Sequence, residues 1–391
     1  MRSIALISAF AAMAAMTPAA MAAETATVGV FAPFSGDYAT YGEGYDRGIT
    51  IWKEMYGDLK AGDKTVEIKN IDDACDVNTG LAAYRRESGN LLAAIGPGCS
   101  GVVRALSPLA ATDKLPLLFL GHGAGLTMMG VKDGYAFRMT QPDDFIQKIF
   151  AKFILEKWKS EGKTKIATIH DTSDAYANSG ELIKQAVTDA GMEFVADEKF
   201  DLGNKDFTAQ LLSVKKSGAQ AAIIATYEAD EGRLLQQLAD LSLDLTVAGS
   251  GDTPYLALVD KDMVGGNQKS LENVYYYSDF VPGEKATEVA KFNDAFQKKY
   301  GIVPLDVDYE GWLAMSILNT ALKAPGATEG GEKLRAALQS AKVDLGGRDV
   351  TFLENGDQST LLTYIGQIKN GSPTLVDLVQ SPRKDFPLAK K

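Results

Sequence analysis

The chain has 391 residues, 46% of them hydrophobic, and a formal net charge of −11 from 40 basic and 51 acidic side chains. Such an acid excess argues against a partner made of nucleic acid or anionic membrane, since both would repel it. The charges come in ones and twos, so they read as a solvated surface, and the length exceeds what one hydrophobic core usually serves, which points to two domains.

The first residues, MRSIALISAFAAMAAMTPAAMAA, join a basic start at Arg2 to a short apolar stretch and a small-residue end. This reads as a secretory signal over residues 1–23, with cleavage after Ala22 or Ala23. No later run approaches ~18 consecutive apolar residues, so no membrane insertion is expected. Beyond the leader, strand-length apolar runs alternate with amphipathic stretches. TVGVFA (27–32) precedes a helical pattern over 41–56; TVEIKNI (65–71) precedes GLAAYRRESG (80–89); LLAAIG (91–96) and LPLLFL (115–120) follow. A second helical pattern over 143–159 leads into KIATIH (165–170), SGELIKQAVTDAG (179–191), MEFVAD (192–197), AAIIAT (221–226) and LTVAG (245–249). Alternation of this kind predicts an α/β fold of βαβ units, with doubly wound parallel sheets and helices on both faces.

Ligands of open parallel sheets gather outside the carboxyl ends of the strands. The loops there read PFSGDYATYG (33–42), GPGCSG (96–101), GHGAG (121–125), DTSDAYANSG (171–180), TYEADEG (226–232) and GSGDTPY (249–255). Ser100 stands where a helix starts, as a cap or as a hydroxyl that holds an anionic oxygen beside free amides. The G-x-S-x-G elbow of a serine hydrolase is missed at Val102. His122 is a glycine-flanked loop residue able to donate to a ligand oxygen; His170, at a strand end, reads as structural. Tyr227, Glu228 and Asp252 sit at neighbouring strand ends, where carboxylates can accept from an ammonium or amide. Tyr41 and Tyr176 each open a helix after such a loop and can wall a ligand with the ring while the hydroxyl stays polar. Cys75 and Cys99 are the only cysteines, and an even pair in an exported chain reads as a disulfide ahead of a metal site or a reactive thiol. Nucleotide-binding loops are absent; the glycines of YGEGYDRG (41–48) miss the dinucleotide spacing.

Taken in order, these segments resemble the substrate-binding proteins of ABC importers of the leucine/isoleucine/valine-binding type. The resemblance rests on PFSGDYATYGEGYDRGI, DDACDVNTG with GPGCSG, YAFRMTQPDD, HDTSDAYANSG, DFTAQL (206–211) and FLENGD (352–357), and spans nearly the whole chain after the leader. It implies a type I periplasmic binding protein: two lobes, 24–141 with 272–347 and 142–271 with 348–391, joined by a three-crossover hinge. It implies a non-enzymatic monomer in the periplasm that captures a small carboxylate-bearing ligand, a branched-chain or related amino acid, for an ABC permease. No catalytic residue, metal or cofactor is expected. By position, Tyr41, Ser100, His122, Gly123, Tyr176, Tyr227, Glu228 and Asp252 would face the ligand, and Cys75 and Cys99 would be paired. Relatives often carry hydroxyls where this chain has His122 and Gly123, which brings aromatic carboxylates and small amides into contention. A ligand sensor for a signalling receptor and an exported hydrolase are the alternatives from other classes.

Overall fold

The computed structural model describes residues 25–123 and 134–382. The expected leader lies outside the described residues. The first sheet is formed by β1 (Ala26–Ala32), β2 (Lys60–Ala61), β3 (Lys64–Asp72), β4 (Ala93–Ile95), β5 (Leu117–Phe119) and β6 (Ala136–Arg138), in the order β2-β3-β1-β4-β5-β6. All its pairings are parallel except that of β2 with β3. The second contains β7 (Lys165–Asp171), β8 (Glu193–Phe200), β9 (Ala221–Ala225), β10 (Thr246–Gly249) and β11 (Tyr275–Ser278). After the small antiparallel pair β12 (Val343–Asp344) and β13 (Asp349–Val350), β14 (Thr360–Lys369) and β15 (Ser372–Pro382) complete it in the order β15-β14-β11-β10-β9-β7-β8.

Val28, Val30 and Phe31 of β1, and every residue of β9, are buried, as strands covered on both faces require. Each sheet therefore carries two apolar layers: one pair centres on Val30 and Phe31, the other on Ile224 and Ile223. The expected α/β architecture of two doubly wound lobes is what the chain builds.

Two of the expected lobe boundaries fall early. The second crossing, back to the first lobe, was expected at 272, yet β11 pairs with β10 and β14 inside the second sheet, so that crossing begins after Ser278. The last was expected at 348, yet Val350 and Phe352 pack into the first lobe's core. In both places the chain goes on hydrogen-bonding one more short strand before it leaves.

The three crossing segments are tied together. Gln141 N–H donates to Asp279 at 3.1 Å, the Gln141 side-chain oxygen accepts from Leu362 N–H at 3.1 Å, and the Gln358 amide donates to Met139 O. Arg138 and Asp357, both 1% exposed, meet at 3.0 Å. Removing either partner of so buried a pair strands a charge, which makes it a strong positional constraint on the hinge. Among the described residues no helix is long and apolar enough to cross a membrane.

Candidate ligand-binding cleft

Helix Ala39–Tyr56, directly after β1, brings Thr40 and Tyr41 to the gap between the lobes. The Tyr41 hydroxyl donates to Asp252, and Thr40 Oγ1 donates to Glu228 at 2.7 Å. From the second lobe Tyr176 OH reaches the other oxygen of Asp252 at 3.2 Å. The Tyr227 ring packs edge-on against those of Tyr38, Tyr41 and Tyr176 at 5.5–6.0 Å, and Tyr41 stacks on Tyr255 at 5.6 Å. Each aromatic pair contributes about 0.5–1.5 kcal/mol beyond the area it buries, and the pairs that Tyr38 and Tyr41 make with Tyr227 and Tyr255 form only when the lobes meet.

Between them lies a small enclosed cavity of about 30 Å³. Tyr41, His122, Tyr176, Tyr227 and Asp252, five of the eight ligand-facing candidates, line it. Glu228 stands behind the wall, fully buried on Thr40. Ser100 and Gly123 meet at the rim: Ser100 Oγ accepts from Gly123 N–H at 3.0 Å, and a Cβ on Gly123 would fall 2.7 Å from Asp174 O. Ser100 is the first residue of helix Ser100–Asp113 and Cys99 precedes it as the cap residue, so the serine does not cap its own helix. Cys99 is bonded to Cys75 with a Cα–Cα distance of 5.5 Å, tying the loop after β3 to the start of that helix. His170, as read, is structural: its ring is buried between Asp171 O and Asp197.

The cavity also recruits residues that the strand-end loops did not show. Asp306 and Glu310 come from helix Asp306–Ala321, Asp143 from helix Asp143–Ser160, Tyr45 from helix Ala39–Tyr56, and Tyr277 from β11. Asp306 and Glu310 are four apart on one helix, hence on one face, and that spacing was the available signal. Tyr277, with Asp279 just past it, was hidden because YYYS was not read as a strand.

The lining is strongly one-sided in charge. Asp143, Asp252, Asp306 and Glu310 face the gap, and among the described residues lining it there is no lysine or arginine. Burial pushes Asp306 up to about 7. Burial, then the charge of Glu228, raises Asp252 well above the usual carboxylate range; burial, then Asp306 and Asp279, does the same for Glu310. A site built this way favours positive charge. His122, Asp279 and Glu310 alone among the described residues group with a spacing that could hold a metal ion. Nucleophilic chemistry finds no support at Ser100, whose oxygen accepts from a backbone amide and is buried.

A lobe-to-lobe gap walled by tyrosines and lined by carboxylates is the geometry of a solute trap, and the periplasmic binding protein family matches residues 25–373. The chain belongs to that family. Its relatives include Leu/Ile/Val-binding protein homolog 3 of Brucella melitensis, 26% identical, with 85% of this chain and 89% of the relative covered. Among solved structures, an ABC-transporter solute-binding protein of Rhodopseudomonas palustris in complex with benzoate superposes with a TM-score of 0.79 at 20% identity, covering 91% of this chain and 96% of that one. The branched-chain amino acid binding protein LivJ of Streptococcus pneumoniae, in complex with isoleucine, gives 0.76 at 20% identity, covering 92% and 100%. At such identities the structures establish the fold alone, over about nine-tenths of this binding protein.

Proposed function

We propose that this binding protein is the extracytoplasmic solute receptor of an ABC importer, working as a non-enzymatic monomer in the periplasm. It closes on a small amine-bearing solute, branched-chain amino acids first among them, and passes it unchanged to membrane permease subunits. The observation that carries this reading is Asp252, whose two oxygens are held by Tyr41 of one lobe and Tyr176 of the other. An ammonium placed on that carboxylate would join both lobes at once, so its binding energy favours the closed form over the open one. Tyr227 supplies the apolar wall. Ser100 and the first amides of its helix, at the rim, suit the solute's carboxylate. Glu228 acts from behind, through Thr40.

A second reading, an aromatic carboxylate, is favoured by the tyrosine walls and by the benzoate-bound neighbour. The acidic lining opposes it. Calorimetric titration with isoleucine, benzoate and acetamide separates the two. The amine reading expects saturable one-to-one binding of isoleucine, weakened at least tenfold by Asp252→Asn. Benzoate binding that survives Asp252→Asn, with isoleucine inert, would establish the second reading in its place.

A further inference from the structure

The proposed reading leaves Glu310 without a task. Its side chain is 3% exposed, it lines the cavity, and among the described residues no hydrogen bond or cation reaches its carboxylate. Two other donors stand beside it. His122 comes from the loop after β5, and Asp279 from the second crossing segment; the donor atoms of all three lie within 4.8 Å of one another. We propose that His122, Asp279 and Glu310 form a site for a divalent transition-metal cation of the zinc or manganese class, set in the cleft beside the Asp252 pocket.

Bonds of about 2.0–2.1 Å in a tetrahedral set place neighbouring donor atoms about 3.4 Å apart. His122 Nε2 and Asp279 Oδ2 stand 3.4 Å apart. The Glu310 carboxylate lies within 4.8 Å of both and, among the described residues, has no hydrogen-bond partner to give up. The His122 side chain is only partly buried and presents Nε2 directly to Asp279. The supports of a metal ligand are also present. Gln141 N–H orients Asp279 by donating to both its oxygens, at 3.1 and 3.3 Å, and Arg138 fixes the histidine loop by donating to His122 O at 2.8 Å and to Gly123 O at 3.2 Å. The Arg138 charge is itself balanced by Asp357 at 3.0 Å, which limits its repulsion of a cation.

The donor set selects the metal class. One imidazole and two carboxylates suit zinc or manganese, whereas calcium takes six to eight oxygens and copper(I) takes soft sulfur. A divalent ion supplies the opposite charge to two carboxylates buried side by side. The site shares the cleft of the proposed solute receptor but does not depend on which solute enters.

The test is made on the metal alone, with no organic solute. Full-length mature protein, stripped with chelator and dialysed, is titrated with zinc chloride and separately with manganese chloride by calorimetry. The proposal expects one saturable equivalent of at least one metal per chain, with affinity reduced at least tenfold in both His122→Ala and Glu310→Gln. The metal-free melting temperature and far-UV dichroism of each variant show whether it folds. Glu310→Gln keeps the side-chain volume, so it decides the matter if His122→Ala does not fold. Equal isotherms for the native protein and Glu310→Gln, or no heat above buffer with either metal, would overturn it. Because isoleucine and benzoate are absent, a negative result leaves the solute-receptor reading standing, and a solute that fails to bind leaves the metal site untouched.

Discussion

Among the described residues Asp252 accepts from two phenol hydroxyls and from Ser250 Oγ and meets no cation, and its carboxyl is raised by burial and by the charge of Glu228. A carboxyl so raised holds its proton in the closed, solute-free form up to a higher pH than it does in water. An ammonium arriving beside it favours the ionised form, so binding expels a proton, and affinity for an amine-bearing solute rises as pH rises. Titrations at pH 6 and pH 8, each in phosphate and in Tris, should show tighter binding at pH 8 and heats that differ between buffers. Buffer-independent heats would mean that the carboxyl was already ionised. The strand-end rule found Tyr41, Tyr176, Tyr227 and Asp252 because each lies where a parallel strand stops, and position along a sheet is legible locally. The spacing of Asp306 and Glu310 puts them on one helix face, but not in the cleft, since DVDYEGW reads as an ordinary acidic helix start. Its placement in the cleft depends on a chain reversal more than 250 residues after Tyr41.

The helices that hold the cleft explain a pattern the sequence left idle. The glycines of YGEGYDRG belong to no nucleotide loop: Gly42 packs on Pro33 and Phe34, while Gly44 and Gly48 face helix Asp306–Ala321. A Cβ at Gly48 would fall 1.9 Å from Asp308 O, and one at Gly311 would fall 2.4 Å from Tyr45 O. The two helices thus cross backbone to backbone, and this contact sets where Tyr41, Asp306 and Glu310 stand relative to one another. Gly48→Ala must push the helices apart. It should cost about 1–3 kcal/mol of stability, read as a lower urea midpoint, and it should weaken solute binding as well. An unchanged midpoint would contradict this account of the crossing. Elsewhere in the same lobe the cysteine pair was readable from residue type and an exported context alone. Its closure of a 24-residue separation stabilises the fold by about 3 kcal/mol.

Across the whole molecule, closure rests on a few polar latches besides the tyrosines. Asp37 of the first lobe receives Lys205 at 2.8 Å and Arg233 at 2.7 Å, and Arg104 meets Asp174 at 2.9 Å. Those side chains all keep some contact with solvent, from about a quarter exposed at Arg233 to about two-thirds at Lys205, so each pair is worth about 1 kcal/mol or less. The hinge, by contrast, is buried around Arg138 and Asp357. Strong constraints at the pivot and weak ones at the lips describe a molecule whose closure must be completed by what it binds. The α/β plan was readable from strand and helix alternation, which is local, and two domains from length, while the lobed arrangement came from the family resemblance; the crossing points were not readable, because they depend on which sheet accepts a short strand. The most direct test is small-angle X-ray scattering of the protein without and with a saturating amount of the solute selected by calorimetry. A fall in radius of gyration on binding, abolished by Asp252→Asn at the same solute concentration, is the predicted result. Saturation of the site with no change in the radius of gyration would contradict closure on a trapped solute.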